Sequence, residues 1–193
     1  MTKNIMIVGV GGQGTLLTSR IIGKAALAMG CDVKISEVHG MAQRGGSVVT
    51  FVRYGENVSE PVVEEGQADV IIAFERLEAL RYAHFLKKDG VLIVNDCRID
   101  PMTVVIGAKE YPQNILENLS ARHRVLSMDA QRVALELGNN KVLNSVILGF
   151  AARFIGIERD VWLDTVASTV PAKTVEINKA AFLRGYDAAG EQE

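Results

Sequence analysis

The apolar positions of this chain change period along its length, and the changes mark out its elements. NIMIVGV (4–10) is a β-branched-rich run that ends in glycines, which predicts a buried strand. In TLLTSRIIGKAALAMG, Leu17, Ile21, Ala25 and Ala28 recur at helical spacing, and Gly30 stands where a helix would end. DVKISEVHG predicts a second strand, completing a Rossmann-like strand–helix–strand unit. SVVTFVRYG alternates as a third strand. Only eight residues, His39 to Gly46, separate these two runs. A parallel crossover needs about a dozen or more residues. The third strand is therefore expected to pair antiparallel as a hairpin-like insertion after strand two, or to leave the sheet.

Regular alternation then resumes. ADVIIAF predicts a strand, and ERLEALRYAHFLKKDG a helix with Leu77, Leu80 and Ala83 inward. Lys87 and Lys88 fall at the end of that helix, with Gly90 as its cap. GVLIVND is the next strand and MTVVIGAKEYP a shorter one. HRVLSMD follows as another, with Ser127 or Asp129 placed to cap the helix AQRVALELG. A longer helix runs through VLNSVILGFAARFIG, with an apolar stripe of Leu143, Ile147, Phe150 and Phe154. ERDVWLDTVAST and AKTVEINKAAFLRGYDAA add helices around Pro171, and the tail AAGEQE is expected to fray. The pattern predicts an α/β fold: a single Rossmann-like three-layer domain over residues 1–193, with a mostly parallel sheet and a helical C-terminal third.

Composition narrows the function. The chain has 193 residues, of which 48% are apolar, enough for one domain with a real core. The net charge is −2 and no basic stripe stands out, so nucleic acid is not an expected partner. Apolar runs such as VIIAF are too short to span a bilayer. The start of the chain enters a strand pattern at once, without the apolar core of a secretion signal. A soluble, cytoplasmic protein is expected. The two cysteines, Cys31 and Cys97, cannot alone supply the usual four ligands of a zinc or iron–sulfur site. They are expected to be free and buried, and no metal site is expected.

Two glycine loops carry the candidate chemistry. VGVGGQGT reads G-x-G-x-x-G on Gly9, Gly11 and Gly14. Its glycines, with Gly12, permit close approach of a ligand to backbone, and the following helix start with Thr15 offers donors to an anion. Gln13 is expected to face the crevice. The motif alone is a weak sign of a dinucleotide. Glu37, 23 residues after Gly14, suits a ribose, but the hairpin that follows it departs from the dinucleotide half-fold. The second loop, GMAQRGG, places Gln43 and Arg44 before Gly45 and Gly46. Arg44 suits a carboxylate or a phosphate, or is a solvated hairpin tip. In a doubly wound sheet both loops lie near the carboxyl ends of the strands, which favours one shared site. His39 is the one histidine near it, and a strand-end histidine bonded to backbone explains it equally. Asn139 and Asn140 read as a loop and helix cap.

Taken together, IVGVGGQGTLLTSRIIGKAA, EVHGMAQRGGSVVTFVRYG and ADVIIAFERLEALR resemble the gamma-type domain of the 2-oxoacid:ferredoxin oxidoreductases, over essentially the whole chain. The HGMAQRGG form resembles the indolepyruvate branch more than those acting on pyruvate, 2-oxoisovalerate or 2-oxoglutarate. The resemblance implies a small subunit in coenzyme A-dependent oxidative decarboxylation of aryl pyruvates to aryl-acetyl-CoA, with reduction of ferredoxin. It also implies that thiamine diphosphate and iron–sulfur clusters belong to a large (alpha) partner subunit, and that this chain has no catalytic residues or cofactor of its own. Consistent with that, no G-D-G precedes Asn139 and Asn140 as a thiamine diphosphate site would require. The implied role is one wall of a shared cleft. Gly9, Gly11, Gly12, Gln13, Gly14 and Thr15, together with Gln43, Arg44, Gly45 and Gly46, would face coenzyme A or the large subunit. A homodimer is one expected outcome when the partner is absent, and the sequence leaves the oligomeric state open. The alternatives are a gamma subunit of another 2-oxoacid (pyruvate, 2-oxoisovalerate or 2-oxoglutarate) ferredoxin oxidoreductase, a stand-alone NAD(P)-binding protein, and an interaction protein with no ligand.

Overall fold

A computed structural model describes residues 2–40 and 45–192. Among these residues six strands form one sheet in the order β2-β3-β1-β4-β5-β6. The strands are β1 (Lys3–Val10), β2 (Asp32–His39), β3 (Ser47–Gly55), β4 (Ala68–Ala73), β5 (Leu86–Asn95) and β6 (Arg124–Met128). β1, β4, β5 and β6 pair in parallel. β3 runs antiparallel to both β1 and β2. The short link after β2 thus makes the expected antiparallel pair, but that pair is not an appendage. β3 lies between β1 and β2, so the first strand–helix–strand unit has non-adjacent strands.

Alternation along the central strands feeds two cores. Ile5, Ile7, Val52, Tyr54, Val70, Ile72, Val91 and Ile93 face one side. There they meet α1 (Thr15–Ala28), α5 (Ala130–Glu136), α6 (Leu143–Ala152), α7 (Arg159–Thr169) and α8 (Val175–Gly190). Met6, Val8, Val49, Phe51, Ile71, Leu92 and Val94 face the other side, towards α2 (Arg76–Tyr82) and α4 (Ile115–Ser120). This is the doubly wound arrangement, with most of the helical mass on one face.

Several expected elements change on inspection. The helix begun at Arg76 ends at Tyr82, and a 3-10 turn, Ala83–Phe85, leads into β5. Lys87 and Lys88 are therefore strand residues, and Leu80 is exposed rather than inward. Gly90 caps nothing. It lies inside β5, where a β-carbon would stand 2.9 Å from the Ala68 carbonyl oxygen, so the residue allows close approach of β4. MTVVIGAKEYP forms no strand: it contains the short helix α3 (Met102–Val105), outside the sheet. Its apolar run misleads because Met102, Val105 and Ile106 point to solvent. Asp129 caps α5, accepting from the Arg132 N–H at 2.9 Å. The tail does not fray where expected: α8 continues to Gly190, with Ala189 fully buried. Both cysteines are half-buried and free.

α6 is buried on all sides from Ser145 to Ala152, so the expected single stripe is a fully enclosed helix. Two glycines make this packing with α8 feasible. A β-carbon on Gly149 would lie 1.9 Å from the Phe182 carbonyl oxygen, and one on Gly185 would lie 1.9 Å from that of Val146. The Ser145 hydroxyl donates to Asn178 Oδ1 at 2.6 Å and Asn178 Nδ2 to the Thr174 carbonyl at 2.8 Å, so the polar atoms in this dry seam are satisfied. Tyr54 ties β3 to the end of α6, its hydroxyl donating to the Ile155 carbonyl at 2.7 Å. Burial pushes that phenol above the ordinary tyrosine range.

Because both walls of the seam are backbone, relaxation around a new methyl group is limited. Gly149→Ala is expected to cost about 3 kcal/mol, the upper end for overpacking. Urea unfolding followed by the fluorescence of the buried Trp162, the only tryptophan, measures it. A shift below about 0.5 kcal/mol would mean the helices are not in backbone contact.

Candidate functional site

The carboxyl ends of the strands gather the candidate residues. β1 ends at Val10, and Gly12 (φ 99°) and Gly14 (φ 88°) turn the chain into α1 through left-handed backbone that other residues adopt only with strain. No side chain caps α1, so the donors of its first turn are left to solvent or to a ligand. Gly9 serves another purpose. A β-carbon there would sit 2.9 Å from Gln13 Oε1 and 3.1 Å from the Phe74 β-carbon.

Gln13 does not project freely into the crevice. Its Oε1 accepts from the Val10 N–H at 2.7 Å, and its Nε2 donates to the Phe74 carbonyl at 3.0 Å. That carbonyl, just beyond β4, also accepts from Asn95 Nδ2 at 3.2 Å. Asn95 is fully buried at the end of β5, and its Oδ1 accepts from the Ala130 N–H at 3.0 Å, at the start of α5. Two side-chain amides thus lace together the ends of β1, β4 and β5 and the entry to α5.

The two glycine loops do meet. The Gly11 N–H donates to the Gly46 carbonyl at 2.9 Å, directly beyond the Val10–Ser47 pair of the β1–β3 ladder. Gly45 has φ 82°. Gln43 and Arg44 lie outside the described residues. A groove of about 370 Å3 lies between the glycine loop and the ends of β2 and β3, lined by Gly11, Gly12, Gly14, Thr15, Leu16, Glu37, His39 and Val48. Glu37 accepts from the Thr50 hydroxyl at 3.2 Å, and His39 Nδ1 lies 3.1 Å from the Gly40 carbonyl. With β3 interposed, Glu37 is displaced by one strand spacing, about 4.8 Å, from where a ribose-binding acid beside β1 would stand.

A larger cleft, about 550 Å3, opens on the other side of the glycine loop. Gly12, Gln13 and Gly14 form one wall, Cys97, Arg98 and Ile99 a second, and Asn140, Lys141 and Asn144 a third. Arg98 pairs with Asp100 through two hydrogen bonds, 2.6 and 3.2 Å, and its guanidinium lies 4.3 Å from the centre of the Tyr111 ring. Lys141 is exposed and has no ion-pair partner among the described residues. Asn139 holds the turn beside it, accepting from the Lys141 N–H at 3.0 Å, as expected of a cap. Burial, and then the Glu75 carboxylate, push the Cys97 thiol above its ordinary range. None of Cys97, Arg98, Lys141 and Asn144 is marked by the glycine motifs. The available signal was position, since CRI directly follows the strand GVLIVND and so falls at the carboxyl edge.

The chemistry of this edge is that of a binding surface. Backbone donors, amides, a lysine and a paired arginine surround the second cleft, and Glu37 makes the first less suited to an anion. Among the described residues no group of three or more His, Cys, Asp or Glu is arranged to hold a metal ion.

A family model described as pyruvate ferredoxin/flavodoxin oxidoreductase matches residues 4–188. The chain belongs to this family. Within it, the chain is 40% identical over 195 residues to indolepyruvate oxidoreductase subunit IorB of Thermococcus kodakarensis, covering 97% of this chain and 96% of that one. The gamma subunit of a keto/oxoacid ferredoxin oxidoreductase from Geobacter sulfurreducens shares the fold with a TM-score of 0.74 and 26% identity, over 98% of this chain and 99% of that one. A 2-oxoglutarate:ferredoxin oxidoreductase from Magnetococcus marinus, solved with 2-oxoglutarate, coenzyme A and succinyl-CoA bound, shares it with a TM-score of 0.76 and 18% identity. The match covers 98% of this chain but 31% of that one, so in that protein this fold is part of a longer polypeptide.

Two measurements check the site as built. Gln13→Ala removes both amide bonds and is expected to cost about 1–3 kcal/mol in urea unfolding. A neutral result would leave Gln13 free to serve a ligand. Because burial raises the Cys97 thiol, its alkylation by iodoacetamide should accelerate at a higher pH than that of an unburied thiol such as glutathione. The same pH dependence as glutathione would contradict the burial described.

Proposed function

We propose that this chain, as one gamma-type domain, is the small subunit of an indolepyruvate:ferredoxin oxidoreductase. It contributes to the coenzyme A-dependent oxidative decarboxylation of aryl pyruvates to aryl-acetyl-CoA with reduction of ferredoxin. The observation that carries this is near-complete alignment, at 40% identity, with a relative named for that activity. In this reading the thiamine diphosphate and iron–sulfur clusters belong to a large alpha subunit, and this chain acts in the cytoplasm as part of the complex.

The carboxyl edge supports such a division of labour. Its clefts are open on one side, and bulky apolar residues stand exposed around them. Met102, Val105 and Ile106 are 66–70% exposed on and just beyond α3, Val38 is 57% exposed at the end of β2, and Leu16 is 43% exposed at the start of α1. An apolar rim around polar clefts is what a second polypeptide would cover. Coenzyme A is polyanionic, so the cleft with Lys141, Arg98 and the α1 start suits its phosphates better than the groove holding Glu37. Arg44, on the loop whose Gly46 touches Gly11, would add a further cation to this edge. A protein containing this fold has been solved with coenzyme A bound.

The isolated chain is expected to show no turnover and no micromolar NAD(P)H binding by calorimetry. In the complex reconstituted with the alpha subunit, Arg44→Ala and Lys141→Ala should each raise KM for coenzyme A about three- to tenfold. Unchanged coenzyme A dependence in both would assign the loops a purely structural role. Val105→Asp should weaken co-purification of the two subunits. Undiminished association would remove α3 from the interface.

A further inference from the structure

We propose that Glu75 and Glu78, buried carboxylates at the start of α2, are positioning residues that fix the separation of the two loops flanking the glycine loop. This rests on the proposed function only for its catalytic consequence. The geometry stands by itself.

Glu75 is 1% exposed and Glu78 is 4% exposed. Burying a carboxylate is unfavourable unless hydrogen bonds replace its water. Capping α2 needs only one such bond, from the Glu78 N–H to Glu75 Oε2 at 3.0 Å, and a shorter Ser or Asp side chain would serve. The other bonds lead away from the helix. Glu75 Oε1 accepts from the Ile99 N–H at 3.1 Å and from the Tyr111 hydroxyl. It thereby holds residues 99–111 at both ends, next to Arg98 on one side and under its guanidinium at Tyr111 on the other. Glu78 Oε2 accepts from the Ser47 hydroxyl, which also lies 3.2 Å from the Tyr82 hydroxyl. Glu78 Oε1 accepts from Arg81 Nε at 3.2 Å, which balances its charge. Ser47 follows Gly46, whose carbonyl holds the Gly11 N–H.

One turn of α2 therefore grips the segment after Arg98 with one carboxylate and the base of the second glycine loop with the other. α2 is itself seated on the sheet, with Ala79 fully buried in the core beneath it. The two walls cannot shift independently without breaking a charge-assisted hydrogen bond. Such a device acts through the residues it holds, so its loss should appear in ligand affinity before it appears in the chemical step.

The test removes each tether while keeping its carboxylate. In the reconstituted complex, Tyr111→Phe and Ser47→Ala should each raise KM for coenzyme A about five- to tenfold, with kcat and KM for the 2-oxoacid within about twofold. Ser47→Thr, which keeps the hydroxyl, should restore the wild-type KM. In the isolated full-length chain, hydrogen exchange supplies a readout independent of turnover. Tyr111→Phe should speed exchange at the Ile99 amide and spare that of Gly11. Ser47→Ala should do the reverse. Uniform acceleration across the sheet in either variant would reduce the carboxylates to general stability and overturn the proposal. If the tether variants leave KM for coenzyme A unchanged while Lys141→Ala raises it, the positioning role fails and the proposed function stands. If Arg44→Ala and Lys141→Ala also leave it unchanged, the coenzyme A contact proposed for this edge fails together with the positioning role.

Discussion

The carbonyl of Phe74 is the point on which the carboxyl edge depends. It lies where β4 has just left the sheet, and it receives two side-chain amides, Gln13 from one side and Asn95 from the other. Each amide spends its oxygen on a backbone N–H, of Val10 and of Ala130. A buried or half-buried amide left unpaired would cost more than its bonds contribute, so the arrangement holds as a set. Its effect is to fix where β1 and β5 end, and so where the glycine loop and the segment carrying Arg98 begin. The tight surroundings of Gly9 follow from it, because the folded-back Gln13 side chain occupies the space that a β-carbon would need.

The insertion of β3 between β1 and β2 is the second constraint, and it separates this fold from a dinucleotide-binding one. A parallel neighbour beside β1 would bring its own loop to the same edge, with its acid facing the crevice. An antiparallel neighbour brings its beginning instead. Ser47 stands opposite Val10, and the loop before it is drawn against the glycine loop. In place of a parallel strand's acid, this edge receives Gly46, whose carbonyl accepts from the Gly11 N–H. The same six-strand order leaves β2 at an edge, where Ile35 and Val38 are exposed.

Much of this was legible in the residues. β-branched runs gave the strands, and the eight-residue link required an antiparallel partner for β2. What failed did so for physical reasons. LKKDG reads as a helix end because its lysines and glycine suit one, yet Leu86 and Val91 pair with β4, and tertiary pairing overrides a local signal. MTVVIG reads as a strand because it is β-branched, yet it folds as the short α3 and a turn, with Met102, Val105 and Ile106 exposed. Gln13 reads as a ligand contact because nothing local reveals that Phe74, 61 positions away, needs a donor. The glycines drew notice to the carboxyl edge, where the two loops meet through Gly11 and Gly46. The residues that complete the larger cleft beside the glycine loop, among them Cys97, Arg98, Gln131, Lys141 and Asn144, come from distant segments of ordinary composition, and only the fold assembles them.

That composition bears on why the chain should work as part of a larger assembly. The larger cleft offers a lysine, an arginine already shared with Asp100, asparagine side chains and a thiol held in its protonated form by burial and a nearby carboxylate. Such groups bind and orient. A general base or nucleophile needs a partner that shifts it towards reactivity, and here the surroundings of Cys97 shift it the other way. The buried carboxylates that remain, Glu75 and Glu78, are committed to hydrogen bonds with backbone and hydroxyl groups and are closed to solvent. A donor-rich wall with an apolar rim suits a second surface docking against it, as the proposed complex requires. In that reading the contribution of this chain is a preformed wall: the amide bridge at Phe74 and the carboxylates of α2 tie it together before anything docks, so that less ordering is left for binding to supply.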